Sequence, residues 1–361
     1  MVAGDVSRRG GTVRRVPLAV TTGWNGPSFR AGTVRYLTGG YGASVRRWRL
    51  HVANRHPRYG YSDGPFELES VSVGPGEDGA WRAGEFSGEP VRLVDSSVSV
   101  GDGGEWVSEW LMLDLRAPLL VQVEFAAEET SAMLAPCWVW DRGGRWRVSD
   151  SGPLWIWLEA EVSDSVPVVA VLGDSTGAGQ GADLPLFESS LAVAGRRLGF
   201  LPVFYAHSGD TLGENMRVDA FNYRRWADFS RADAALVQAG SNDLHSGASL
   251  ESLQKRFAGV VEAVRSRVSG RVLACTIKPR FPDSDVFEGV RAAYNEWLLG
   301  LPHGIEGVVD TAARIGDSKT PVEFAADAGH LTTAGHAAMA GAFVEAGELR
   351  SVLRRDENRR R

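Results

Sequence analysis

Hydrophobic and polar positions along the 361-residue chain follow two different rules. Up to about residue 160 the period is two. Trp48, Leu50 and Val52 alternate with Arg47, Arg49 and His51. Leu111, Leu113 and Leu115 share one face, as do Val121, Val123 and Phe125 with Gln122 and Glu124 opposite. Ile156, Leu158, Ala160 and Val162 likewise oppose Glu159 and Glu161. This alternation is that of half-buried antiparallel strands. Turn-forming breaks at Gly74-Pro75-Gly76, Gly101-Asp102-Gly103-Gly104 and Asp141-Arg142-Gly143-Gly144 separate them. No helical pattern interrupts the series, which predicts a β-sandwich of jelly-roll type.

From Pro167 onward the rule changes. Apolar runs at 168–173, 201–206, 234–239, 271–277 and 307–310 alternate with helical segments. That order predicts an α/β domain with a parallel sheet of about five strands between two helical layers. The clearest helix follows Ser249, where Leu250, Leu253, Phe257, Val260, Val261, Val264 and Val268 form one stripe, Ser249 suits the N-cap and Gly270 the stop. Phe187, Leu191, Ala194 and Leu198 mark another, ended by Gly199. A last helix is expected from Thr332 or Thr333 to about Leu349. The chain thus divides into a β-sandwich at 1–163, an α/β domain at 164–351 and a basic tail at 352–361.

Composition narrows the partners. A hydrophobic fraction of 43% supports a core in each domain, and a net charge of -6 argues against general nucleic-acid binding. The arginines at 8, 9, 14 and 15 and those from 354 to 361 read as solvated ends. Cys137 and Cys275 fall in different domains without metal-ligand spacing, so neither a disulfide framework nor a metal site is expected. No stretch approaches the roughly 20 apolar residues of a membrane span, and no secretory signal is evident. The expected location is cytoplasmic, although release by lysis or display on a viral particle is compatible with the same sequence; oligomeric state stays open. Of 12 tryptophans, all but Trp226 and Trp297 lie in the front half. Trp138, Trp140, Trp155 and Trp157 suit core or seam packing, with an aromatic platform for sugar rings as the alternative.

Candidate chemistry begins at the stretch 168–179, VVAVLGDSTGAG. A buried strand stops there at Gly173-Asp174-Ser175, which sets Ser175 at the carboxyl edge of the sheet, where α/β domains bind ligands. Three further signals follow strand runs or precede the last helix: His207-Ser208-Gly209-Asp210, Gly240-Ser241-Asn242-Asp243 and Asp327-Ala328-Gly329-His330. All four would open on one edge. Ester hydrolysis needs a nucleophile, a base and donors for the developing oxyanion. Ser175 suits the first role, His330 the second, and Asp327 can orient the imidazole. The backbone N–H groups of Ser175 and Gly209 and the Asn242 amide can meet the oxyanion, each typically worth roughly 3–4 kcal/mol of barrier. Asp174, Thr176, His207, Asp243 and His245 are candidate substrate contacts, with loop anchoring as the other reading of Asp243. His336 suits packing, and Asp327, His330 and His336 have no further cluster with which to hold a metal.

These blocks resemble blocks I, II, III and V of the SGNH (GDSL) hydrolase family: GDS with Gly179 beyond it, a glycine after the second strand, GxND and DxxH. The resemblance spans about 165–350. It implies a flavodoxin-like three-layer sandwich, a covalent acyl-enzyme and no cofactor or metal, with Ser175, Gly209, Asn242 and His330 as the signature residues and Asp327 as the acid. Residues 48–125 resemble, more diffusely, the β-sandwich that precedes this domain in some bacterial members. Block I departs from the common pattern in continuing Thr-Gly-Ala-Gly, so the pocket floor near Thr176 is expected to differ. Gly209 is preferred to Gly213 because it follows its strand directly. Gly173 to Gly177 also fits the G-x-S-x-G elbow of α/β-hydrolases; there several strands precede the elbow, whereas here the serine closes the first strand of its domain. The expected function is a serine esterase acting on short acyl esters, with O-acetyl groups on carbohydrate as the narrower reading. The alternatives are a non-catalytic glycan-binding or virion structural protein with a relic hydrolase domain, and a lipase or acyltransferase on the same scaffold.

Overall fold

Alternation in the front half becomes twelve strands in the computed structural model, which describes residues 12–24, 28–141, 143–213, 216, 231–268, 270–280, 285–316 and 319–359. They are β1 (Val13–Ala19), β2 (Thr22–Gly23), β3 (Phe29–Gly39), β4 (Arg47–Ala53), β5 (Phe66–Pro75), β6 (Val91–Val94), β7 (Val98–Val100), β8 (Glu105–Val107), β9 (Pro118–Thr130), β10 (Ala132–Trp140), β11 (Trp146–Pro153) and β12 (Trp155–Ser163). One antiparallel sheet runs β1-β12-β4-β8. The other runs β11-β10-β3-β9-β5-β6, with β2 on β10 and β7 on β5. Trp48, Leu50, Ile156 and Leu158 of the first share a buried cluster with Tyr36, Val121, Val123 and Phe125 of the second. The other face of the first sheet is charged. There Arg15 and Arg47 pair with Glu161 at 3.1 and 2.7 Å, Arg49 pairs with Glu159, and all three guanidinium groups lie over the Trp110 ring.

Residues 111–115 depart from expectation and form no strand. After the single rung Trp48–Leu111, the Trp48 indole N–H donates to the Leu113 carbonyl at 3.0 Å, so a side chain takes the acceptor that a ladder would have used. Packing, the expected role of the four tryptophans, holds for Trp138 and Trp155, each only 2% exposed, and a four-ring platform is thereby set aside. Trp140 packs edge-on against Trp146, and Trp157 stacks on His51. Large apolar rings at alternate strand positions went chiefly to packing.

The back half carries β13 (Val168–Gly173), β14 (Leu201–Ala206), β15 (Ala234–Gln238), β16 (Arg271–Cys275) and β17 (Gly307–Val309), all parallel, in the order β14-β13-β15-β16-β17. β13 is buried at every position, as a strand covered by helices on both faces must be. The helix Leu250–Arg265 starts on the Ser249 cap as expected, but stops short of Gly270. Phe187 lies ahead of the helix Ser190–Leu198 and packs against Trp81. The last helical segment is two helices, Thr333–Glu345 and Gly347–Arg359, because Ala346 takes an extended ψ of 117°. The backbone of the expected basic tail is therefore helical as far as Arg359.

The halves are joined by more than a linker. Their apolar residues belong to one continuous buried cluster, and Arg14 of β1 pairs with Asp233, just before β15, at 2.6 Å. Among the described residues no helix is long and apolar enough to cross a membrane.

Candidate active site

Parallel register gathers the loops. Gly173 lies opposite Ala206 on one side and Gln238 on the other, so the chain leaves β13, β14 and β15 at one level. Ser175 follows Gly173 by two residues, Gly209 follows Ala206 by three, and Asn242 follows Gln238 by four. The Asp174 carboxylate caps the short helix Ser175–Ala178 by accepting the Thr176 N–H at 2.9 Å. That cap turns the chain sharply at the strand end and presents Ser175 at the head of the helix.

His330 arrives from the loop before the last helix pair. Its Nε2 lies 3.0 Å from Ser175 Oγ, and its Nδ1 lies 2.7 Å from Asp327 Oδ2. Asp327 Oδ1 accepts the N–H groups of Gly329 and His330 at 2.7 and 2.9 Å, so one carboxylate organises both its own turn and the ring. Partial burial pushes the Asp327 carboxyl up, but the hydrogen bond from His330 and the two backbone donors outweigh it and hold the carboxyl below its usual range. The loop is pressed against Gly181, at φ 93°, where a Cβ would stand 3.0 Å from the His330 Cβ. Only glycine accepts that approach without strain. Behind the loop, Lys278 Nζ donates to the Gly329 carbonyl at 2.7 Å. Burial pulls this ammonium down to about 8, partly opposed by Asp174.

Gly209 sits at φ 79°, and the Ser175 and Gly209 N–H groups have no hydrogen-bond acceptor among the described residues. The Asn242 amide donates to the Asp210 carbonyl at 2.9 Å. Gly213 lies farther along, against Arg256. Ser175, Gly209, Asn242, Asp327 and His330 thus lie at the carboxyl end of one sheet.

The five candidate substrate contacts fare differently. Asp174 and Thr176 are buried, and they line a small cleft together with Gln238, Ser241 and Lys278 and the apolar Ile277 and Met339. Desolvation raises the Asp174 carboxyl above its usual range. Asp243 is an anchor: it is fully buried, accepting Leu212 N–H at 2.9 Å and Arg256 Nη1 at 2.8 Å. His245 is exposed at the end of the helix Ser241–His245. His207 faces the β-sandwich, where its Nδ1 accepts the Gly23 N–H at 2.9 Å and lies 2.6 Å from Thr22 Oγ1. Burial, with His56 and Arg58 nearby, drives its pKa down to about 3, so the ring is neutral at ordinary pH. As substrate contacts, Asp243 and His207 are corrected by these buried partners. His336 is buried with its Nε2 3.4 Å from the Gln180 carbonyl, and burial lowers it to about 4. Among the described residues, no three His, Cys, Asp or Glu side chains are grouped to hold a metal.

Two residues of this region escape the sequence reading. Lys278 carries a faint signal, one of three lysines in the chain and placed just past a buried strand. Arg58 carries none, since its contacts lie some 150 residues away. It nevertheless pairs through Nε with Asp210 Oδ1 at 2.7 Å, while Nη1 and Nη2 donate to the Ser208 and Gly209 carbonyls at 2.9 and 2.8 Å. Burial raises the Asp210 carboxyl above its usual range, and the adjoining Arg58 guanidinium opposes that shift and favours the carboxylate.

A parallel sheet of order 2-1-3-4-5, with a serine following its first strand and a GxND turn following its third, defines a flavodoxin-like α/β domain. Residues 171–338 match the model of the GDSL-like Lipase/Acylhydrolase family. No curated protein matches the chain in sequence. Among solved structures, a member of the lipolytic protein G-D-S-L family from Veillonella parvula is 20% identical, with 51% of this chain and 99% of that chain covered and a TM-score of 0.43. A family two carbohydrate esterase from Clostridium thermocellum, solved with cellohexaose, is 12% identical over 92% and 97% of the two chains, with a TM-score of 0.45. A carbohydrate esterase family 2 enzyme from Corynascus thermopiles is 13% identical over 95% and 99%, with a TM-score of 0.44.

Proposed function

We propose that the protein is a serine ester hydrolase that works through an acyl-enzyme. One observation carries the reading: Asp327, His330 and Ser175 form an unbroken chain of contacts, 2.7 and 3.0 Å long. With Nδ1–H donating to Asp327, the Nε2 lone pair of His330 is free to take the Ser175 proton. Oγ bonds to the ester carbon, and the carbonyl electron pair moves onto oxygen, where the N–H groups of Ser175 and Gly209 and the Asn242 amide meet it. Collapse expels the alcohol, which takes the proton from Nε2. Water then repeats the sequence and releases the acid. Asp327 stays ionised throughout and steadies the imidazolium.

Short acyl esters, with O-acetylated carbohydrate as the narrower class, are the proposed substrates. The carbohydrate reading is supported by the exposed rings of Tyr59 and Tyr61, which stack with His56 next to Arg58 and so stand close to the Gly209 loop. Aromatic faces of this kind suit the apolar faces of sugar rings.

A fluorophosphonate probe should label the wild type at Ser175, and Ser175→Ala should lose both the label and at least about 10⁴-fold in turnover. A folded wild type that neither takes the label nor hydrolyses p-nitrophenyl acetate would sink the proposal and favour a binding protein. A series of p-nitrophenyl esters beside acetylated oligosaccharides would then separate carbohydrate deacetylation from lipase-like preference for long chains.

A further inference from the structure

The loop 207–210 belongs to the α/β domain, but the β-sandwich holds it. Gly23 accepts the Ser208 N–H at 3.1 Å and donates its own N–H to His207. Arg58 takes the remaining side of the turn, with hydrogen bonds to the Ser208 and Gly209 carbonyls and an ion pair with Asp210. From the α/β side, Ser208 Oγ donates to Gln180 Oε1 at 2.7 Å. Asp210 closes the circuit, since its carboxylate meets Arg58 and its carbonyl accepts the Asn242 amide at 2.9 Å.

Arg58 is itself held in place. His56 Nδ1 accepts the Arg58 N–H at 3.2 Å, and His56 Nε2 lies 3.2 Å from the Trp24 carbonyl. The Tyr59 ring covers the guanidinium, 4.8 Å from Cζ. The side chain is only 9% exposed and Asp210 not at all, so the pair lies in a low-dielectric seam where removing either member is costly. A planar guanidinium can serve three acceptors in one plane; an ammonium cannot match that fork. A Cβ on Gly209 would stand 3.2 Å from Arg58 Nη1, which ties the glycine at this turn to the cation as well as to its φ of 79°.

We infer that Arg58 is a positioning residue for ester hydrolysis: the β-sandwich contributes it to fix the Gly209 peptide and, through Asp210, the Asn242 amide as oxyanion donors. This inference rests on the serine-hydrolase reading above. The front domain is therefore part of the catalytic apparatus, and the α/β domain without it holds an unset oxyanion site. The contacts of Arg58 are with the loop and not with Ser175, so its effect passes through the loop.

The experiment uses the full chain with p-nitrophenyl acetate. Arg58→Ala should lower kcat about 10- to 100-fold with KM within about twofold, because displaced donors act in the transition state alone. Guanidinium ion at tens of millimolar should restore kcat in Arg58→Ala, but not in Asn242→Ala or Ser175→Ala. Arg58→Lys, which keeps the charge and loses the fork, should stay well below wild type. Combining Arg58→Ala with Asn242→Ala should cost less than the product of the two single losses. Wild-type kcat in Arg58→Ala and Arg58→Lys, in an enzyme that Ser175→Ala silences, would overturn the role of Arg58 and leave the hydrolase reading intact. Wild type no more active than Ser175→Ala would overturn that reading, and the inference with it. Should Arg58→Ala not fold, Arg58→Lys decides the matter by its kcat: full activity overturns the inference, and a loss at unchanged KM supports it.

Discussion

Two sets of arginine ion pairs occupy this molecule on different terms. On the outer face of the sheet β1-β12-β4-β8, Arg15, Arg47 and Arg49 sit in rows against Glu159 and Glu161, with side chains 32 to 48% exposed. In the seam between the domains, Arg58 meets Asp210 with 9% and 0% exposure. Water and salt screen the first set, so its members add little individually and replace one another readily. The second is shielded, and its worth lies in what the guanidinium holds rather than in net attraction. Number of pairs is thus a poor guide to importance here, and it is the concealed Arg58–Asp210 pair that we propose bears on the chemistry.

The sharpest test of this contrast is thermodynamic. Arg58→Ala should lower the free energy of unfolding by about 3 kcal/mol, near the low end for a broken buried pair because Asp210 can take a proton once its partner is gone. Urea denaturation of wild type and variant would measure it. A change below about 1 kcal/mol would place the pair in the same class as the surface ones.

A smaller effect is expected from His207, which shares the seam. Its native pKa, near 3, lies below the unfolded value near 6.5, so the unfolded chain binds the proton first as the pH falls. Unfolding free energy should accordingly drop from about pH 6.5 downward, by up to about 1.4 kcal/mol per pH unit from this ring. His336, at about 4, acts in the same direction over the upper part of that window. The difference in urea midpoint between wild type and His207→Gln, followed from pH 7 to pH 5, isolates the His207 share. A pH-independent difference would mean that the ring is not held neutral.

The smallest effect belongs to the exposed row. Arg49→Ala should change stability by no more than about 1 kcal/mol, and less in 1 M salt, where screening shortens the reach of the charge. A larger, salt-insensitive loss would erase the distinction between the two sets.

What could be read in advance follows the same division between local and distant. β13 is legible because a strand covered on both faces is a continuous apolar run, and the polar GDS that ends it marks the sheet edge. Asp327 and His330 are three residues apart, so a single turn brings them together and their pairing has a local signature. Gly209 and Asn242 could be placed because each follows its strand by a fixed few residues and parallel register does the rest. His207 was misdirected: its position beside the loop says nothing about which way the ring turns, and that was decided by Thr22 and Gly23 across the seam. The tryptophans show the same limit, since alternation marks a face without saying whether another sheet will cover it. Arg58 lies beyond any such reading, for its partners are set by how two domains dock.

The continuous apolar cluster that joins the two halves bears on how this molecule could be re-engineered. Cutting at the short connection between Ser163 and Val168 would bare greasy surface on both pieces, so neither is a ready-made module. Anyone wishing to graft a new front piece onto this hydrolase scaffold would have to carry over the Thr22–Gly23 rung and the turn around residue 58, because those few atoms are the socket into which the other half plugs.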